Sequence, residues 1–196
     1  LQAEAAILLN AGTGDVLFAK NIHQSLAVAS MSKIMTELLV LEALDEGSLN
    51  WEDTVDISDY AYTISSQPGF ASADLEKDQA YTVRELFLGM AVSSANGATI
   101  ALAEKISESE KEFVTLMNEK AEQLGLNDTH FVNSTGLTNN DLQNYHSNGS
   151  LEDNNRMSAK DLATLTKYVI DQYPELLDIT KMKEFDFQDQ FYMNSN

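Results

Sequence analysis

The stretch "AVASMSKIMTELLVLEAL", residues 27–44, sets Ser30 and Lys33 three positions apart where an apolar, helix-period run begins. Ile34, Leu38 and Leu41 recur at i, i+4 and i+7, and Gly47 stands where a helix-ending glycine belongs. This pattern predicts a helix over 31–46 that is apolar nearly all round and therefore central. Residues three apart on a helix share a face, so the Ser30 hydroxyl and the Lys33 amine come within reach of each other. A serine attacks efficiently only when a base takes its proton, and a helix N-terminus favours the negative charge that then develops, so the pair suits acyl transfer. It also reads as a capping serine ahead of a solvated lysine. With 17 serines and 10 lysines in 196 residues, chance alone supplies about one S-x-x-K, so the pair by itself decides nothing.

Upstream, "AAILLNAGTGDVLFAKN" carries two apolar runs, 5–9 and 16–19, split by Gly12, Thr13, Gly14 and Asp15. Those residues supply turn geometry, and the prediction is an antiparallel hairpin. Downstream, helix signals dominate. Thr82 with Glu85, and Ser109 with Glu112, form capping boxes ahead of apolar-periodic runs, the second of which ends at Gly125. Between these runs "SSAN" interrupts two apolar stretches, and "NGATIALAEKI" resumes with Ala98, Leu102 and Ile106 on one face. Residues 138–157 are polar and rich in Asn, which predicts a long surface loop. Ser158 caps "AKDLATLTKYVIDQY", Pro174 opens a short helix, and "FQDQFYMNSN" alternates as a strand does.

Composition narrows the partners. A formal charge of −19 repels phosphate backbones and anionic headgroups, so nucleic acid is a poor partner. No cysteine is present, which excludes disulfides, thiolate chemistry and cysteine-based zinc sites. His23, His130 and His146 share no ligand spacing, so no metal and no other cofactor is expected. The 31 acidic residues read mostly as a solvated face, and their abundance prevents any paired carboxylate from standing out. The length favours a single domain, and no apolar run approaches the roughly 20 residues that span a bilayer. Leu1, with no basic and apolar leader before it, sets the expectation that any export signal has been removed.

The second polar triplet, Ser94-Ala95-Asn96, lies in the break between two apolar helices, where a hydroxyl and an amide can be pushed into a cleft on fixed supports. By itself it reads equally as a helix cap, as Ser48-Leu49-Asn50 does as a turn. Taken in order, "ASMSK", "VSSANGATIALAE" and "THFVNSTGL" resemble the serine D-alanyl-D-alanine carboxypeptidases, the low-molecular-mass penicillin-binding proteins, and the resemblance covers essentially the whole chain. It implies an α+β fold of the β-lactamase/transpeptidase type: the hairpin joins an antiparallel sheet, a largely helical region follows, and the remaining strands are expected beyond residue 196. The domain over 1–196 is then a single incomplete one.

Carried onto this sequence, the resemblance makes Ser30 the acylated nucleophile and Lys33 its base, which must be neutral at the moment of attack. Ser94 relays a proton to the leaving D-alanine, and Asn96 binds the substrate's peptide amide and steadies Lys33. The implied partners are a peptidoglycan stem peptide ending in D-Ala-D-Ala and the β-lactams. The implied place is the cell envelope outside the cytoplasmic membrane, with attachment through a C-terminal segment not seen here. The family's third motif, K-T-G, occurs nowhere in the 196 residues, and Thr180, Lys181, Met182 and Lys183 do not replace it. The chain is therefore expected to stop before it, and alone to be inactive. Two other readings stand beside this one. A serine β-lactamase needs a glutamate for deacylation, often in E-x-x-x-N, and no Glu after Asn96 has Asn four residues later. A non-catalytic wall-binding protein of the same fold is compatible with the missing K-T-G and the acidic surface.

Overall fold

The computed structural model describes residues 1–188 and 190–194. The N-terminal hairpin forms as predicted, from β1 (Ala6–Leu9) and β2 (Val16–Lys20), with an irregularity between Leu8 and Leu9. It leaves Leu8, Val16, Leu17 and Phe18 about half exposed or more. A short β3 (Leu26–Ala27) leads into a 3-10 turn, Ala29–Ser32, and only then into α1 (Lys33–Asp45). The helix thus starts two residues later than the periodicity predicts. Ser30 is not its cap: the capping position is Ser32, which makes no side-chain capping bond. The expected burial holds, since Met35, Leu38, Leu39, Val40 and Leu41 are all in the core.

Around α1 pack α3 (Val83–Ser93), α4 (Asn96–Ser107), α5 (Glu110–Gln123) and α7 (Ala159–Gln172). The Thr82/Glu85 capping box forms in full. At Ser109 the hydroxyl accepts from the Glu112 backbone N–H, and Ser158 caps α7 through Asp161 N in the same way. Ser58 caps α2 (Asp59–Ser65), and β4 (Thr54–Val55) pairs with β5 (Tyr81–Thr82). Neither that helix nor these two-residue strands carries a periodic signal of its own.

Residues 138–157 are more than a surface loop. They form α6 (Asn139–Leu142), a 3-10 turn at Gln143–Tyr145 and β6 (Arg156–Met157), which pairs with β3. Asn139 and Asn155 are buried because an amide side chain both donates to and accepts from backbone, and so replaces regular structure. Asn155 takes the N–H groups of Val132 and Asn133 on Oδ1 and returns Nδ2 to Asn133 O. The expectation of a mostly solvated acidic face also needs correction at three positions, since Glu37, Glu110 and Asp161 are buried. After α8 (Leu176–Thr180) a second hairpin, β7 (Glu184–Phe187) with β8 (Gln190–Met193), lies on α3, and Phe187 stacks on Tyr81 at 5.2 Å. Asp189, Ser195 and Asn196 of the predicted terminal strand lie outside the described residues.

The approach of α2 to α4 depends on Gly97, where a Cβ would stand 2.6 Å from Ser65 Cβ and 2.7 Å from Ala61 O. Backbone there cannot give way without moving α2. Gly97→Ala is expected to cost about 1–3 kcal/mol through overpacking, seen as a lowered thermal unfolding midpoint by circular dichroism.

Candidate active site

Ser30 sits exposed in the 3-10 turn, with Lys33 buried beneath it in the first residue of α1. Nζ of Lys33 donates to three oxygens: Ser30 Oγ at 3.3 Å, Asn96 Oδ1 at 2.8 Å and the Thr135 carbonyl at 2.9 Å. These acceptors come from its own turn, the start of α4 and a loop 102 residues downstream. Three acceptors match the three donors of an ammonium, so the amine is fixed in position and orientation. Burial pushes its pKa down to about 7, against a smaller upward pull from Glu37 one turn along the helix. Glu37 is pushed up to about 8, chiefly by burial, with Lys33 pulling the other way. Near neutral pH the lysine is therefore available as a base, which an exposed lysine is not.

Asn96 is fixed from both sides. Its backbone N–H and Nδ2 both donate to Ala71 O, at 3.0 and 3.1 Å, leaving Oδ1 aimed at Lys33. Ser94, half-buried two residues before it, closes α3 in the left-handed region at φ 58°, a conformation that L residues other than Asn and Asp adopt rarely. It is a strained C-terminal position, not an N-cap. Among the described residues its hydroxyl makes no hydrogen bond. The structure thus brings Ser30, Lys33 and Asn96 into one hydrogen-bonded group, and Ser94 stands on the turn that delivers Asn96.

The loop carrying Thr135 contains "NSTG", residues 133–136, to which the sequence alone assigns no individual role. Its Asn133 Oδ1 collects Thr135 N, Thr135 Oγ1 and Gly136 N, and Asn133 Nδ2 returns to Leu137 O. A side chain doing the work of a turn leaves no periodic trace. Gly136, at φ 83°, is pressed against Ala29: a Cβ would come 1.9 Å from Ala29 O. Ala29 itself has φ 46°, and its carbonyl also accepts from Ser32 Oγ. The histidines His23 and His130 lie elsewhere, His23 on Asp128 and His130 in a backbone bridge to Arg156.

A family model described as Peptidase S11, D-alanyl-D-alanine carboxypeptidase, matches residues 1–196. The chain belongs to this family. It is 39% identical over 195 residues to the D-alanyl-D-alanine carboxypeptidase DacF of Bacillus subtilis, covering all of this chain and 44% of that protein. It is 32% identical to DacD of Escherichia coli, covering all of this chain and 48% of that protein. Among solved structures, a peptidoglycan synthesis regulatory factor, PBP3, from Streptococcus pneumoniae aligns with a TM-score of 0.95 at 39% identity, over 99% of this chain and 54% of that one. Penicillin-binding protein D2 from Listeria monocytogenes, solved in its ampicillin-bound form, aligns at 0.82 with 27% identity over 100% of this chain and 73% of that one. The fold is thus the α+β transpeptidase-like fold, and the chain spans about half the length of the curated relatives it matches.

Since Gly136 has both a left-handed φ and no room for a methyl group, Gly136→Ala should displace Ala29 and with it Ser30. The expected result is a loss of about 2 kcal/mol or more in urea unfolding.

Proposed function

We propose that the protein containing this chain is a serine D-alanyl-D-alanine carboxypeptidase that trims the terminal D-alanine from peptidoglycan stem peptides and is acylated by β-lactams. The observation that supports this reading best is the buried Lys33, hydrogen-bonded at once to Ser30 Oγ and Asn96 Oδ1. Neutral Lys33 takes the proton of Ser30 as Oγ attacks the carbonyl of the penultimate D-alanine. The C–N bond breaks, and the proton passes by way of Ser94 to the departing amine. Water then hydrolyses the Ser30 ester and restores the serine. Asn96 holds the peptide amide of the substrate and the position of Lys33, and the backbone N–H of Ser30 stabilises the oxyanion.

The rest of the machinery belongs to the remainder of the protein. In this reading a K-T-G strand outside residues 1–196 binds the terminal carboxylate, and the segment 1–196 is one part of a single transpeptidase-like domain. Two features fit. The hairpin exposes apolar side chains, and a cavity of about 560 Å³ lies between β1 and α7, lined by Ile7, Leu9, Leu162 and Ile170. Further strands of the same domain would cover both, so 1–196 alone is expected to be inactive. Its place of action is the cell envelope, at the outer face of the cytoplasmic membrane or beyond it.

Mass spectrometry of the full-length protein after benzylpenicillin should find a persistent adduct on Ser30, absent from Ser30→Ala. Rapid turnover of the drug without an adduct would instead indicate a β-lactamase, and unchanged D-alanine release by Ser30→Ala from an acyl-D-Ala-D-Ala peptide would overturn the assignment. A depressed pKa means that Lys33 is protonated, and unable to accept a proton, below about 7 and neutral above it. The acylation rate should therefore rise with pH through about 7 and not through the ordinary lysine range, as stopped-flow measurement with a chromogenic β-lactam will show.

A further inference from the structure

Glu110, the first residue of α5, is buried, and among the described residues no cation pairs with it. Its carboxylate is occupied by hydroxyl and amide donors instead. Oε1 accepts from the Ser134 backbone N–H at 2.9 Å and from Ser134 Oγ at 2.6 Å. Oε2 accepts from Tyr60 OH at 2.9 Å and from Ser147 Oγ at 3.2 Å. Four donors on two oxygens fit an ionised carboxylate, which accepts and does not donate. Burial, the largest influence, outweighs these four bonds and holds its pKa above the ordinary carboxylate value. The donors come from α2, from the loop before α6 and from the polar segment 138–157, so one carboxylate ties three separate segments to the start of α5.

The consequence lies one residue further along. Ser134 is gripped at both ends, its N–H and Oγ by Glu110 and its carbonyl by Thr36 Oγ1 at 2.9 Å from α1. The next carbonyl, that of Thr135, is the one that accepts from Lys33 Nζ, and the next Cα, that of Gly136, abuts Ala29. Glu37 is the carboxylate that pulls the Lys33 pKa upward. Glu110 is linked to the lysine through the loop, by way of Ser134 and the Thr135 carbonyl.

We propose that Glu110 is a positioning residue for the acylation step: by fixing the Ser134 peptide, it holds the Thr135 carbonyl on Lys33 Nζ and Gly136 against the turn that carries Ser30. This inference rests on the reading of Ser30 and Lys33 as nucleophile and base. Removing the carboxylate leaves the buried Ser134 N–H without an acceptor and loosens the seal over Lys33, which admits water to the amine. A glutamine at the same place can turn its carbonyl to Ser134, while the hydroxyls of Tyr60 and Ser147 rotate to accept from its amide.

The test compares full-length protein with Glu110→Ala, Glu110→Gln and Ser134→Ala by two readouts. One is the pH profile of acylation by a chromogenic β-lactam; the other is the titration of Lys33 Nζ in 15N-lysine NMR, which needs no acylation. Glu110→Ala is expected to lower the acylation rate about tenfold or more and to move both the kinetic midpoint and the Lys33 titration to higher pH. Glu110→Gln should restore most of both. Ser134→Ala, which keeps the backbone arm, should give a smaller loss in the same direction and stands in for Glu110→Ala if that variant does not fold. Parent-like rates and an unmoved Lys33 titration in these variants would overturn the role of Glu110. A parent that titrates Lys33 near 7 yet takes no β-lactam would overturn the acyl-enzyme reading instead, with the Glu110 coupling still read from the NMR.

Discussion

Burying the amine of Lys33 is the constraint on which the site is built. An ammonium without partners in a protein interior is unfavourable by on the order of several kcal/mol, so it must either find acceptors or give up its proton. Here both happen. Its three acceptors are drawn from the turn before α1, the start of α4 and the loop before α6, so they converge only when the helical region has assembled. The same burial that makes these bonds necessary lowers the pKa towards neutrality. Packing and reactivity are thus set by one side chain.

Part of the backbone strain lies at the same place, at two of the five non-glycine residues with positive φ among the described residues. Of the residues other than glycine with positive φ, Ala29 directly precedes Ser30 and Ser94 lies two before Asn96; Gly136, also left-handed, presses on Ala29. Each such residue costs on the order of 1–3 kcal/mol where it is not glycine, and persists only because neighbours hold it. For Ala29 those neighbours are the Ser32 hydroxyl on its carbonyl and the Cα of Gly136. For Ser94 it is the Ala95 N–H bonded back to Gly89 O while the Asn96 N–H reaches Ala71. Two of the strained positions thus fall at the chain breaks that carry Ser30 and Ser94.

What can be read from sequence follows the range of the interaction. The first hairpin, the central helix and the capped starts of α3, α5 and α7 are local patterns, written in apolar spacing and in a hydroxyl three residues ahead of a carboxylate. Ser30 and Lys33 are legible only because two further blocks, around Ser94-Ala95-Asn96 and "THFVNSTGL", follow them in order. The Thr135 carbonyl is not legible in that way, because a backbone acceptor is chemically the same at every residue and only its location matters. Glu37 and Glu110 are hidden among 31 acidic residues, since nothing local separates a buried carboxylate from a solvated one. The asparagine-rich stretch 138–157 reads as loop by composition, yet Asn139 and Asn155 are buried and stand in for backbone partners, as Asn133 does just before it. Polarity marks a loop only when water, and not the main chain, satisfies it.

The way the site uses charge bears on what it needs from elsewhere. Among the described residues no second lysine or arginine hydrogen-bonds to Ser30, Ser94 or Asn96, and Lys33 has all three of its donors engaged within the protein. A lysine that must be neutral to act as a base cannot also serve as the counter-ion of a substrate carboxylate. In a chain of charge −19 the surrounding field opposes the approach of such a substrate. Under the proposed function, proton transfer and carboxylate binding therefore call for two different cations. The one built into α1 is committed to the proton, and the K-T-G lysine proposed for the rest of the domain must supply the other.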